Sequence, residues 1–409
     1  MLYGIAAATT ALLLSAVLAG LLRVPALRLG LVERRQRQRR VPLSGGLAVV
    51  LTTCLVALAG DRWGYAPLGD GVGALLPAAG ALAGLGLIAD VWRLKARLLV
   101  LGTAVAAAFV VPYGDTGPWA GALAVVWITC AALAFRSLDH ADGVAGTVGV
   151  VTAFGAAACA ALEVLDGVAV LLSVLAAALT GFLMHNWPPA RVALGACGSL
   201  FAGFLLAAGA VTVRAGGGPG EGAGVLFALT AVATADAVLV AVARRLAGRP
   251  LLRGGPDHLA HRLRRLGLTP QGAVVVLGTA AFAGVLVGTL VHTGWAGPRA
   301  VWWVAGGALA VVLGLLRVPV YGPPRARGSA HDASRSHDAS RAHDASRAHD
   351  ASRARGARRD PRMSRMYGPR RQSESLPVRP GSGDRRAGRD ASAGQRHLAC
   401  KERIRVEWV

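Results

Sequence analysis

The sequence predicts an all-α, polytopic membrane protein with about eleven transmembrane helices, an outside N-terminus, a cytoplasmic C-terminus and a disordered, Arg-rich tail. Three observations predict it. Of 409 residues, 54% are hydrophobic and the mean hydropathy is +0.49. Only 16% are charged, against about 25% in an ordinary soluble domain, which excludes a typical cytosolic enzyme. The net charge is nevertheless +22, and the two properties are segregated along the chain. Apolar blocks fill residues 1–318, the expected membrane domain, and residues 319–409 form a polar tail.

A helix needs about 20 apolar residues to cross the hydrocarbon core. Eleven segments qualify, at about 3–22, 44–60, 72–89, 98–113, 117–135, 144–163, 166–184, 194–213, 222–243, 271–292 and 298–318. No positive region precedes the first, so it reads as a span and not as a cleaved signal peptide. Many are rich in Ala and Gly, which suits close helix packing in lipid. Basic residues set the orientation. The loop after the first span carries Arg23, Arg28, Arg34, Arg35, Arg37, Arg39 and Arg40. Arg93, Lys95 and Arg97 follow the third, Arg136 the fifth and Arg191 the seventh. Arg244, Arg245, Arg249, Arg253, Arg262, Arg264 and Arg265 follow the ninth. The alternate loops hold only Arg62, Arg214 and Arg299 among several acidic residues. The basic loops are therefore expected in the cytoplasm.

The tail contains four tandem six-residue units beginning at His331, His337, His343 and His349, each reading His-Asp-Ala-Ser-Arg and then Ser or Ala. With Arg, Ser, Gly and Pro making up most of the rest, it lacks the apolar residues for a core and is expected to be disordered. Its charge favours anionic headgroups, and no nucleic-acid partner is expected. The cysteines, Cys54, Cys130, Cys159, Cys197 and Cys400, form no CxxC pair and read as small hydrophobes.

Ionisable residues at membrane depth or packed at span ends are functional candidates. Here they gather on the expected cytoplasmic side. Asp90 ends the third span, Asp139 and Asp142 follow the fifth, and His185 and Asn186 end the seventh. Asp257, His258, His261 and Arg262 follow the ninth. Asp139 and Asp142 are three apart, so a helical turn puts both carboxylates on one face. Such a pair can hold Mg²⁺ on a diphosphate or accept a proton. His258 and His261 share that spacing and, with Arg262, Arg264 and Arg265, suit phosphate. Asp236, inside the ninth span, reads either as part of an ion path or as a capped polar residue facing the other helices. No inverted repeat supports a transporter.

Six segments carry a family resemblance. They are Arg40-Val-Pro-Leu-Ser-Gly-Gly46, Gly86-Leu-Ile-Ala-Asp90, Asp139-His-Ala-Asp142-Gly143, Gly181-Phe-Leu-Met-His-Asn186 with the following Trp-Pro-Pro-Ala-Arg-Val192, Gly195-Ala-Cys-Gly-Ser199, and Gly255-Pro-Asp257-His258-Leu-Ala-His261-Arg262-Leu263. In this order they resemble the polyprenyl-phosphate N-acetylhexosamine-1-phosphate transferases, glycosyltransferase family 4, over about residues 35–290. The resemblance implies transfer of a sugar-1-phosphate from a UDP-sugar to polyprenyl phosphate in cell-envelope polymer synthesis, at the cytoplasmic face of a bacterial plasma membrane. It implies Mg²⁺ at Asp139 and Asp142, with Asp90 beside them as a third catalytic carboxylate. Substrate contacts are implied at His258, His261, Arg262, Asn186 and Asp257. A homodimer is compatible with it. The sequence departs from the family pattern at chemically important positions. Ala89 and Ala196 replace carboxylates, the second a magnesium ligand; Arg136 replaces Asn, His140 replaces Gly, and Pro256 replaces Arg. The alternative reading is a catalytically impaired member that binds lipid or nucleotide sugar, or acts as a membrane scaffold.

Overall fold

The computed structural model describes residues 2–33, 41–64, 68–92, 94–214, 219–250, 255 and 257–320. The tail repeats, most of the first basic loop, Arg93, Arg253 and Pro256 lie outside the described residues. The described residues form fourteen helices and one small hairpin. The helices are α1 (Leu2–Leu21), α2 (Arg23–Arg28), α3 (Ser44–Arg62), α4 (Gly69–Trp92), α5 (Ala96–Val110), α6 (Tyr113–Leu138), α7 (Val144–Leu162), α8 (Asp166–Asn186), α9 (Gly195–Arg214), α10 (Pro219–Leu229), α11 (Ala231–Leu246), α12 (Leu259–Arg265), α13 (Pro270–His292) and α14 (Ala300–Leu316). Strands β1 (Val32–Glu33) and β2 (Val41–Pro42) pair antiparallel, with Val32 opposite Pro42.

Each of the eleven expected segments falls on a helix or a helix pair, but they are not equivalent. Among the described residues, eight helical stretches are long and apolar enough to cross a membrane, α1 and α2 counting together as Tyr3–Arg28. The expected segment at 222–243 is instead broken: α10 and α11 meet at 78° around Thr230. The segments at 98–113 and 298–318 yield the shorter apolar helices Ala96–Val110 and Ala300–Leu316. Pro112 follows α5 and limits its length, because the residue before a proline is pushed out of the helical region. Local chemistry also starts α13. Thr269 caps it by accepting from the Gly272 N–H at 3.0 Å, and Pro270 occupies the first turn, where its missing N–H is harmless.

Helix α9 is the centre. Its apolar stretch is 94% buried within the protein, against 22% for the N-terminal helix. It packs against α3, α4, α6 and α7. In lipid, helix association depends on close packing more than on water exclusion, and glycines permit it. A Cβ on Gly46 of α3 would strike the Leu194 carbonyl and the Gly198 backbone, and a Cβ on Gly198 would strike the Gly46 Cα. On α4, a Cβ at Gly86 would lie within 2.7 Å of the Ala196 and Cys197 backbone. Three helices thus converge backbone to backbone at the N-terminal end of α9.

Candidate functional site

The first turn of a helix leaves four N–H groups without intrahelical partners. At α9, three of them meet carboxylates from elsewhere. Asp139 accepts from Gly195 N–H at 2.8 Å, and Asp90 accepts from Ala196 and Cys197 N–H at 3.0 and 3.1 Å. The placement is doubly favourable, since negative charge at a helix N-terminus also opposes the helix dipole. Ala196, where the family resemblance places a carboxylate, stands at the centre of this arrangement and is itself held by Asp90.

Asp142 lies one turn beyond Asp139 and accepts from the Ala190 N–H at 3.0 Å, tying the turn after α6 to the loop before α9. Asn186 crosses the same gap. Its carbonyl oxygen accepts from Gly143 N–H and its amide donates to the Val192 carbonyl, each at 2.8 Å. Gly143 has φ +77°, a conformation that suits glycine. The Gln271 amide donates to the Pro188 carbonyl at 3.0 Å and brings in the start of α13. His185 points elsewhere, its Nε2 lying 3.0 Å from the Ala16 carbonyl of α1.

A second polar knot lies beside the first. Asp236 is fully buried on α11. Its carboxylate accepts from the Ser137 hydroxyl at 3.0 Å, from Leu259 N–H at 2.8 Å, and pairs with His258 Nδ1 at 2.8 Å. This agrees with a capped polar residue facing the protein interior. The His140 ring stacks on His258 with centroids 3.8 Å apart, and His261 sits 5.0 Å from His140 at a tilt. Burial first, then the neighbouring His258, lowers the His140 pKa to about 3. Burial, with His258 and Arg264 following, lowers that of His261 to about 4. Both imidazoles are therefore neutral near pH 7.

Asp257 and Arg262 are buried and face the protein scaffold. Arg244 and Asp257 form a bidentate pair at 2.5 and 3.0 Å. Arg262 donates to the carbonyls of Asp257, Leu315 and Val318 at 3.0, 2.6 and 3.0 Å, clamping the end of α14. Arg265 reaches the Pro319 carbonyl.

A cavity of about 260 Å³ opens where these elements meet. His140, Asp142, His261, Arg264, Gln271 and Ala190 are among the residues lining it. Asp142 and His261, predicted from sequence, therefore share a cavity, while Asn186, Asp257 and Arg262 brace its surroundings. Gln271, Arg244 and Ser137 were not singled out from the sequence. Each acts through tertiary contacts, and only the excess of arginines after the ninth span hinted at Arg244.

The fold and site define a class: a multi-pass α-helical membrane protein with a carboxylate-held helix N-terminus beside a polar cavity. The comparisons with known proteins then specify the family. Residues 72–214 match the sequence model described as glycosyl transferase family 4. The chain is 69% identical over 333 residues to a Streptomyces coelicolor protein provisionally named a glycosyltransferase, covering 80% of this chain and 81% of that one. It is 28% identical over 358 residues to the decaprenyl-phosphate N-acetylglucosaminephosphotransferase of Mycolicibacterium smegmatis, covering 76% and 87%. The enzyme of the same name from Mycobacterium tuberculosis is 29% identical over 315 residues, covering 66% and 77%. The chain belongs to glycosyl transferase family 4, the family of the polyprenyl-phosphate N-acetylhexosamine-1-phosphate transferases.

Proposed function

We propose that this protein transfers N-acetylhexosamine-1-phosphate from a UDP-sugar to polyprenyl phosphate at the cytoplasmic face of a bacterial plasma membrane, in cell-envelope polymer synthesis. The observation that carries the reading is the cavity bounded by Asp142, His261 and Arg264, next to the helix end held by Asp90 and Asp139. Family membership and the named activities of the mycobacterial relatives support the same chemistry. An oxygen of the lipid phosphate attacks the β-phosphorus of the donor, the bond to the α-phosphate breaks, and UMP leaves. Arg264 offers charge and directional donors to the phosphate oxygens. Neutral His261 offers a hydrogen bond without adding charge. Asp90 holds the α9 N-terminus in register and so places the adjoining loop.

Hard oxygen donors suit Mg²⁺, which commonly uses one or two carboxylates plus water and substrate phosphates. Asp139 and Asp142 meet that requirement and are the residues that would hold it. When bound, Mg²⁺ offsets charge on the diphosphate and on the departing UMP.

A second reading has a specific basis. Ala89 and Ala196 offer no side-chain oxygen ligand, and Asp90 directs both carboxylate oxygens at backbone N–H groups. A member that binds prenyl phosphate or nucleotide sugar without turnover fits those features. The deciding experiment measures UMP release by the detergent-purified protein with Mg²⁺, undecaprenyl phosphate and either UDP-GlcNAc or UDP-MurNAc-pentapeptide. Release lost in Asp142→Asn and Asp139→Asn supports transfer. Absent release from a folded protein that still binds either substrate supports the second reading.

A further inference from the structure

His140, His258 and Asp236 come from three separate parts of the chain, yet each offers a ligand atom within 4.8 Å of the others. The His140 ring is held as a metal-ligating imidazole usually is. Its Nδ1 donates to the Ser137 carbonyl at 2.5 Å, which leaves the lone pair on Nε2. That Nε2 is buried and has no hydrogen-bond partner among the described residues. Leaving a buried polar atom unsatisfied is destabilising, and a cation is one group that would satisfy it. The carboxylate opposite is already steered by Ser137 and Leu259 N–H. His261 is next to the cluster, and both it and His140 reach the cavity, which provides a route in from solvent.

We infer that His140, His258 and Asp236 form a binding site for a zinc-class divalent cation, separate from the Asp139 and Asp142 carboxylates. Two imidazoles and one carboxylate suit Zn²⁺, Co²⁺ or Ni²⁺ better than Mg²⁺, which favours all-oxygen sets. Zinc–ligand distances of about 2.0–2.2 Å put tetrahedral ligands roughly 3.4 Å apart, so pairs now within 4.8 Å close by about 1.4 Å or less, while His258 Nδ1 and Asp236, at 2.8 Å, move slightly apart. The stacked rings splay to bring both lone pairs onto the ion. Coordination by His258 Nδ1 replaces its hydrogen bond to Asp236, and the ring proton moves to Nε2, so the imidazole stays neutral. The site follows from His140, which stands where the family resemblance places Gly, and it does not depend on sugar-phosphate transfer.

The test uses the full-length protein in detergent, stripped with a chelator and titrated with Zn²⁺ in the presence of excess Mg²⁺. Calorimetry gives the affinity, and metal analysis after gel filtration gives the stoichiometry. His140→Phe keeps a ring against His258 but has no lone pair, and His140→Gly restores the residue of the family pattern. Both are expected to lose one equivalent of zinc relative to the parent, with any zinc bound elsewhere in the chain unchanged. Asp142→Asn is expected to keep that equivalent. The inference is overturned if folded His140→Phe binds as many equivalents as the parent, or if Asp142→Asn loses the equivalent as His140→Phe does. Midpoints of the zinc-free variants no lower than the parent's show that the loss is one of ligation and not of folding.

Discussion

Replacing Asp90 with alanine should unfasten the most buried helix of the protein. Asp90 accepts from two N–H groups in the first turn of α9, at 3.0 and 3.1 Å, where Gly86 and Gly46 hold neighbouring helices at backbone contact. A buried donor left without an acceptor costs about 1–3 kcal/mol, so two cost roughly 2–6 kcal/mol, with the lost charge–dipole attraction adding about 0.3–1 kcal/mol. Asp90→Asn keeps one carbonyl acceptor and should lose about half as much. The order parent, Asn, Ala is therefore predicted for the thermal midpoint, read by the soluble fraction surviving heating and gel filtration in detergent. Asp90→Glu should not restore the parent midpoint, because the longer side chain misplaces the carboxylate against a helix end packed to backbone contact. If Asp90→Ala melts within a degree of the parent, the helix-holding role assigned to this carboxylate is wrong. If UMP release falls in Asp90→Asn in step with the midpoint, Asp90 acts by positioning α9; release lost from a protein of parental stability would place it on the substrate.

Four further outcomes follow from the same geometry. Arg244→Ala leaves the buried Asp257 carboxylate without its bidentate partner and should cost about 3–5 kcal/mol. The double variant with Asp257→Ala should cost less than the sum of the two singles, which a thermal double-mutant cycle measures. Gly46→Ala drives a methyl into the Leu194 carbonyl and the Gly198 backbone and should destabilise by about 1–3 kcal/mol, with a lowered midpoint and unchanged composition of the purified protein. Ala196→Asp puts a third carboxylate beside Asp90 and Asp139; it should lower the midpoint without Mg²⁺ and regain it when Mg²⁺ is added. His140 and His261 have folded-state pKa values lowered to about 3 and about 4 from 6.5. Between those values and 6.5 the unfolded chain binds more protons, so stability should rise with pH up to about 6.5 and level above it, with a shallower slope in His140→Phe.

Legibility differed between fold and site for physical reasons. Apolar length and basic-loop asymmetry are local properties, and each of the expected apolar segments coincides with a helix or a helix pair. The 78° break at Thr230 was not visible, because the apolar pattern runs through it without a proline or a charge. The site was partly visible. Asp139 and Asp142 share a turn by spacing alone, but which N–H groups they meet, at Gly195 and Ala190, depends on residues about fifty positions away. Arg262 suited phosphate by sequence, and the family resemblance implied Asp257 as a substrate contact, whereas burial turns the two toward α14 and Arg244.

By itself, then, the order of amino acids determined the helical membrane architecture and the set of polar residues gathered near span ends, since hydropathy and local spacing act over one or two helical turns. Tertiary structure alone decided the partners: three carboxylate contacts converging on one helix N-terminus, and His140 stacked on a histidine more than a hundred residues away. Those pairings depend on glycine-lined helices approaching to backbone contact, and no local pattern encodes which distant carboxylate meets an orphan N–H.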